Sequence, residues 1–172
     1  LTARSSWIND QLATYYNLNT DTHDSEFSLV DVSTTRPAGI LTHGSFLTTH
    51  ALPTSSSPIH RGVIVRERLL CNELAPPPDG LVIVPPPFDP TQTTRERFAA
   101  HSEDAQCESC HRLIDPIGLG FEKYDGIGRY RNTDQGEPVN TSGSVIRLTG
   151  DSSDFDGVAA LAEILATDPS VS

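Results

Sequence analysis

The tightest constraint on this 172-residue chain is a run of five residues, Cys107-Glu108-Ser109-Cys110-His111. A Cys-x-x-Cys-His run is the attachment sequence for c-type haem. Two thiols become thioethers to the porphyrin and the adjacent histidine takes one axial position on the iron. The spacing has a mechanical reason: one turn of backbone brings both sulfurs to the porphyrin edge, and the next residue turns under the iron. The chain has only three cysteines, so coincidence explains this spacing poorly. Two other chemistries use Cys-x-x-Cys. A thioredoxin-like dithiol opens a helix after a hydrophobic strand, whereas Ser102-Glu103-Asp104-Ala105-Gln106 precedes the motif here. A zinc site needs a second ligand pair, and Cys71 and His101 belong to no recognisable one.

Composition limits the partners. Apolar residues make up 36% of the chain, beside 13 prolines and 12 glycines, which implies many turns and long irregular connections. A buried macrocycle would supply apolar surface that the side chains lack. Twelve basic residues against 23 acidic ones give a net charge of −11, which disfavours nucleic acid and anionic membrane and suits a positively charged redox partner. No run is long and apolar enough to span a bilayer, and Leu1-Thr2-Ala3-Arg4 does not begin a signal peptide. Haem is attached covalently outside the bacterial inner membrane. The motif therefore predicts an extracytoplasmic protein, in the periplasm or at the cell surface.

Along the chain, Ile8, Leu12, Tyr15 and Tyr16 have helical spacing, with Ser5 or Ser6 as the cap and Trp7 as a core anchor. Asn17 to Ser25 reads as a polar loop, Phe27 to Val32 as a strand, and Ile40 to Leu47 as a modest helix weakened by Gly44. Ser57-Pro58 opens a helix expected to reach about Leu74, which Pro76-Pro77-Pro78 stops. Gly80 to Val84 is a short apolar strip, and Pro76 to Pro90 reads as an ordered strap or a linker. Thr93 or Thr94 caps a helix from Arg95 to His101 that leads into the motif. Leu113 to Phe121, with Gly118 and Gly120, suits a backbone pressed against porphyrin, with Ile117 and Phe121 as greasy contacts. Arg129 to Asn140 reads as a hairpin around Asp134-Gln135-Gly136, and Ser144 to Leu148 as a strand. Asp154 caps a last helix, Phe155 to Ala166, whose buried face is Val158, Leu161, Ala162 and Leu165.

Several of these residues together carry a resemblance. Arg95-Glu96-Arg97-Phe98, His101, Cys107-x-x-Cys110-His111, Asp115-Pro116-x-Gly118 and Phe121-Glu122-x-Tyr124-Asp125-x-x-Gly128-x-Tyr130-Arg131 resemble cytochrome c-like domains of large planctomycete and myxobacterial proteins of unknown function. Gly39-Ile40-Leu41-Thr42, Ser57-Pro58-x-x-Arg61-Gly62, Leu69-Leu70-Cys71 and Phe155-Asp156-Gly157-Val158 extend it over nearly the whole chain. The resemblance implies a longer multidomain polypeptide. On this reading residues 1–38 are the tail of a preceding helical region plus a loop, 39–150 the cytochrome c-like haem domain, and 151–172 the start of a C-terminal helical region. It also implies a cofactor, one covalent haem c with its iron, but no established reaction.

The second axial ligand would decide the chemistry. The chain has no methionine, so a His/Met cytochrome is excluded; Ile114 stands where many relatives carry Met. His101, which matches a recurrent position in the resembling domains, is the first candidate beside His111. His60, His43 and His50 follow, then His23, a Cys71 thiolate, or an open position. Two nitrogen ligands suit electron transfer. An open site suits small-ligand binding or peroxidase-type chemistry, with Arg61 or Arg97 as a candidate distal group. Arg129 and Arg131, with Tyr130, are candidate propionate partners, or an exposed charged hairpin. The expectation is thus a mainly α, cytochrome c-like helical haem domain with a small β-hairpin and long proline-rich loops. Its expected task is single-electron transfer with a redox partner protein or a neighbouring redox domain. The alternatives are a haem enzyme and a structural haem in a binding or assembly module.

Overall fold

A computed structural model describes residues 1–19, 25–76, 84–101 and 105–171, without the side chains of 100, 101, 105 and 106. The chain begins with a hairpin. Strand β1 (Ser5–Ile8) pairs antiparallel with β2 (Ser28–Asp31), Ser5 opposite Asp31 and Ile8 opposite Ser28. The alternation of Ser6 and Ile8 inward with Trp7 outward has the period of a strand, so the helix expected from Ser6 starts later. Trp7 is 63% exposed beside its cross-strand partner Leu29 and does not anchor the core. Helix α1 (Asp10–Tyr16) is capped by Asn9, whose side chain accepts from the Leu12 N–H, not by Ser5 or Ser6.

A 3₁₀ turn (Gly39–Thr42) and α2 (Gly44–Thr49) follow. Helix α3 (Pro58–Ile64) starts as expected, with Pro58 at its first turn and Ser57 as its cap, but changes at Val65 into one turn of π-helix (Val65–Leu69). It ends well before Leu74, because Cys71 takes a left-handed conformation (φ 52°) that no helix continues through. Helix α4 (Thr94–His101) opens on a capping box: the Thr93 N–H donates to Glu96 Oε2 at 2.8 Å, and the Glu96 N–H donates to Thr93 Oγ at 3.3 Å. Helix α5 (Ala105–Gly118) carries the Cys-x-x-Cys-His run and continues through Pro116 into a 3₁₀ turn (Leu119–Phe121). The stretch expected to lie as open backbone along a porphyrin is therefore helical. The centre of the proline strap and the Asp21, His23 and Asp24 loop lie outside the described residues.

The expected hairpin forms between β3 (Thr133–Asp134) and β4 (Glu137–Pro138), turning on Gln135 and Gly136, both at positive φ. A third hairpin pairs β5 (Ser142–Ile146) with β6 (Ser152–Asp156). It leads directly into α6 (Gly157–Thr167), which buries Val158, Leu161, Ala162 and Leu165. Asp154 belongs to β6, and Asp156 holds the capping position. The architecture corrects the expectation of a mainly helical domain. Among the described residues it is mixed α/β, with six α-helices and three two-stranded antiparallel sheets. The serine-rich segments at Ser5–Ile8 and Ser152–Asp156 pair as strands because each turns alternate residues inward and places one apolar side chain, Ile8 or Phe155, in the core.

One core joins Leu41, Leu47, Val65, Ile117, Phe121 and Leu161, and a smaller cluster gathers Ile8, Ala13, Tyr16 and Val32 under the first hairpin. Helices α3 and α5 meet main chain to main chain. A Cβ on Gly62 would stand 2.1 Å from the Ile114 carbonyl oxygen, and one on Gly118 would stand 1.8 Å from that of Pro58. The start of α3 thus lies against the end of α5, and the two helices run antiparallel. Neither backbone can yield to a methyl group without moving its helix. Gly62→Ala and Gly118→Ala are each expected to lower stability by about 1–3 kcal/mol or more in urea unfolding. Glu163→Ala on the exposed face of α6 should stay within about 0.5 kcal/mol.

Candidate functional site

The α-helical repeat puts Cys107, Cys110 and His111 on one stripe of α5, since residues three and four apart share a face. All three are half-buried, while Glu108, Ser109 and Arg112 face solvent. The two thiols are not joined in a disulfide. One turn further on, Asp115 completes the stripe. Its two carboxylate oxygens each lie 3.0 Å from His111 Nδ1, and its side chain is 12% exposed. Asp115 makes no second ion pair among the described residues. The contact fixes the plane of the imidazole and engages its Nδ1 edge.

Two further features adjoin this stripe. A cavity of about 540 Å³, lined by Arg95, Ala99, Asp115, Pro116, Leu119 and Phe155, opens between α4, α5 and the β5–β6 hairpin. On the other side the π-turn touches α5, and the antiparallel run of α3 sets it toward the thiol-bearing half. Arg66 in that turn is fully buried. Its Nη1 donates to the Ile146 carbonyl, while Nε and Nη2 have no partner among the described residues. Burial pushes its pKa down from the ordinary arginine value.

The other residues singled out in the sequence lie elsewhere. Ile117 and Phe121 are fully buried in the main core, and Ile114 faces α3. Arg131 binds Glu122 and Asp134, each at 2.7 Å, and Arg129 is exposed, its guanidinium 5.6 Å from the Tyr15 ring centre. His101 is the last residue of α4, and its side chain lies outside the described residues. His60 is exposed on α3, while His43 and His50 flank α2. Burial pushes both of these imidazoles down, helped by the charge of Arg36 at His43 and of His60 and Arg61 at His50. Cys71 is exposed. Arg97 is buried beside the rings of Phe88 and Phe98 and lines a second cavity. No group of three or more His, Cys, Asp or Glu comes together among the described residues.

Arg61 has a structural task. It donates to the carbonyls of Leu47, Phe121, Tyr124 and Asp125 and stands 3.7 Å from Glu122. Glu122 is buried between Arg61 and Arg131 and accepts from Ser56 at 2.8 Å. Burial pushes the Glu122 carboxyl up, against the pull of the two guanidiniums and the hydroxyl. Sequence reasoning left Asp115 unassigned, although its position four residues after His111 on a helix was a readable signal. Arg66 gave none, because an arginine beside Glu67 and Arg68 reads as a solvated face.

Residues 37–134 match the family PSCyt3, described as "Protein of unknown function (DUF1588)". This is more than half of the chain and includes Cys107, Cys110 and His111. The chain belongs to this family. The PSCyt3 name marks a cytochrome-like group, and its description assigns no reaction. Neither the curated proteins nor the solved structures contain a match. No described helix of this PSCyt3 chain is long and apolar enough to cross a membrane.

The Glu122 cluster carries a stability prediction. Glu122→Gln removes the charge that Arg61 and Arg131 share and should cost about 3–5 kcal/mol in urea unfolding. Arg129→Ala should cost less than about 1 kcal/mol, because its ring contact is exposed.

Proposed function

We propose that this PSCyt3 chain carries one covalent haem c and transfers single electrons outside the cytoplasm. The observation that carries this reading is the stripe Cys107, Cys110 and His111 on one face of α5, within the segment that matches a cytochrome-like family. The donor set fits the group. Two thiols outside any disulfide stand beside an imidazole held at Nδ1, and Arg66 offers two nitrogens that are unpaired among the described residues, of the kind that haem carboxylates need. Cys107 and Cys110 would hold the porphyrin by thioethers, and His111 would ligate the iron. When bound, the haem supplies a one-electron ferric/ferrous couple.

The remaining roles fall to the chain. Its charge of −11 would steer a positively charged redox partner toward it. His101, at the end of the helix leading into the motif, is the proposed second ligand. Arg131 is held by Glu122 and Asp134, which makes it a poorer propionate partner than Arg66. Export follows from the chemistry of attachment.

The test is the optical spectrum of the protein matured in an exporting host, oxidised and reduced, with a pyridine haemochrome assay and added carbon monoxide. The expected result is a c-type haemochrome with low-spin bands that carbon monoxide leaves unchanged. A high-spin spectrum that shifts with carbon monoxide would replace electron transfer by ligand or peroxide chemistry. No haem would overturn the reading.

A further inference from the structure

We infer that Asp115 is a positioning residue that lends His111 anionic character and so holds the iron toward its ferric state at low reduction potential. The inference rests on the haem reading and assigns to that site a control over its potential. Three observations carry it. Both carboxylate oxygens lie 3.0 Å from His111 Nδ1, so the proton there sits against the whole carboxylate rather than one edge.

Among the described residues the carboxylate also has no other cation to spend its charge on. It is buried and makes no second ion pair among the described residues. Arg95 lines the same cavity, but its guanidinium donates to the Asn140 and Ser142 carbonyls. A buried carboxylate with one partner polarises that partner strongly. Negative charge flows onto the imidazole, which becomes a stronger donor and favours the higher oxidation state.

The backbone that carries Asp115 is fixed as well. Ile114 on one side and Gly118 on the other are the points where α5 rests on the main chain of α3, at Gly62 and Pro58. Asp115 therefore sits on backbone pinned against α3, and its four-residue spacing from His111 on the same helix keeps the carboxylate under the imidazole. In the redox step one electron from the partner protein converts ferric to ferrous iron. No bond breaks, and the Nδ1 proton stays between His111 and Asp115.

The experiment measures the midpoint potential of the haem-bearing chain by spectroelectrochemical titration for wild type, Asp115→Asn and Asp115→Glu, with haem content by pyridine haemochrome. Asp115→Asn keeps an acceptor for Nδ1–H but removes the charge. It is expected to shift the reduction equilibrium toward ferrous by about tenfold, ~59 mV for one electron. Asp115→Glu retains the carboxylate and is expected to return the potential toward wild type. A haem-bearing D115N chain at the wild-type potential overturns the inference while leaving the haem reading intact. A D115E potential raised above wild type by the full ~59 mV also overturns it, because packing rather than charge would then be responsible, and this arm, read against wild type alone, decides the matter if D115N fails to take up haem. Wild-type protein without haem overturns the haem reading and this inference with it.

Discussion

The contact between α3 and α5 is the constraint on which the rest depends. At Gly62 against the Ile114 carbonyl, and at Gly118 against that of Pro58, two helices touch through their main chains with no side chain between them. So close an approach fixes rotation and register of α5 together, and any side chain larger than hydrogen at either glycine would push the helices apart. The candidate site hangs from that helix. The same contact points Ile117 into the core, leaves Cys107, Cys110 and His111 half-buried on one stripe, and holds Asp115 under His111.

Buried guanidiniums are the second device. Long irregular connections leave carbonyls that no ladder satisfies, and each arginine brings five donors in a rigid fork. Arg61 gathers the carbonyls of Leu47, Phe121, Tyr124 and Asp125, joining α2 to the loop after the last turn of α5. Arg36 does the same between Thr42 and Gly128, with its plane over the Tyr16 ring at 3.3 Å. Arginines thus supply cohesion that a chain with 36% apolar residues lacks. Arg66 differs in that two of its nitrogens find no partner among the described residues.

The candidate stripe was legible in the sequence more than the fold was. The spacing of the Cys-x-x-Cys-His run put three candidate residues on what became one helix stripe, and the buried face of α6 followed from its periodicity. The capping box at Thr93 and Glu96 and the Gln135-Gly136 turn are local chemistry and could be read. The helix bias failed at Ser5–Ile8 and Ser152–Asp156, where short polar alternations carry too few apolar residues to declare a strand before a partner is known. Ile117 and Phe121 look like porphyrin contacts in sequence because any greasy pair after such a motif does; their place in the core is set by α3 and α6, far away in the chain. Arg36, Arg61 and Arg66 were unreadable for the same reason, since what buries an arginine is the set of distant carbonyls it reaches.

The central claim is that the α5 stripe exists to hold haem covalently through Cys107 and Cys110. Intact mass and thiol titration of the protein from a host that matures c-type cytochromes test it most directly. The account predicts a mass increased by one haem and a single titratable thiol, that of the exposed Cys71. An unmodified mass with all three thiols of the chain titratable would contradict it.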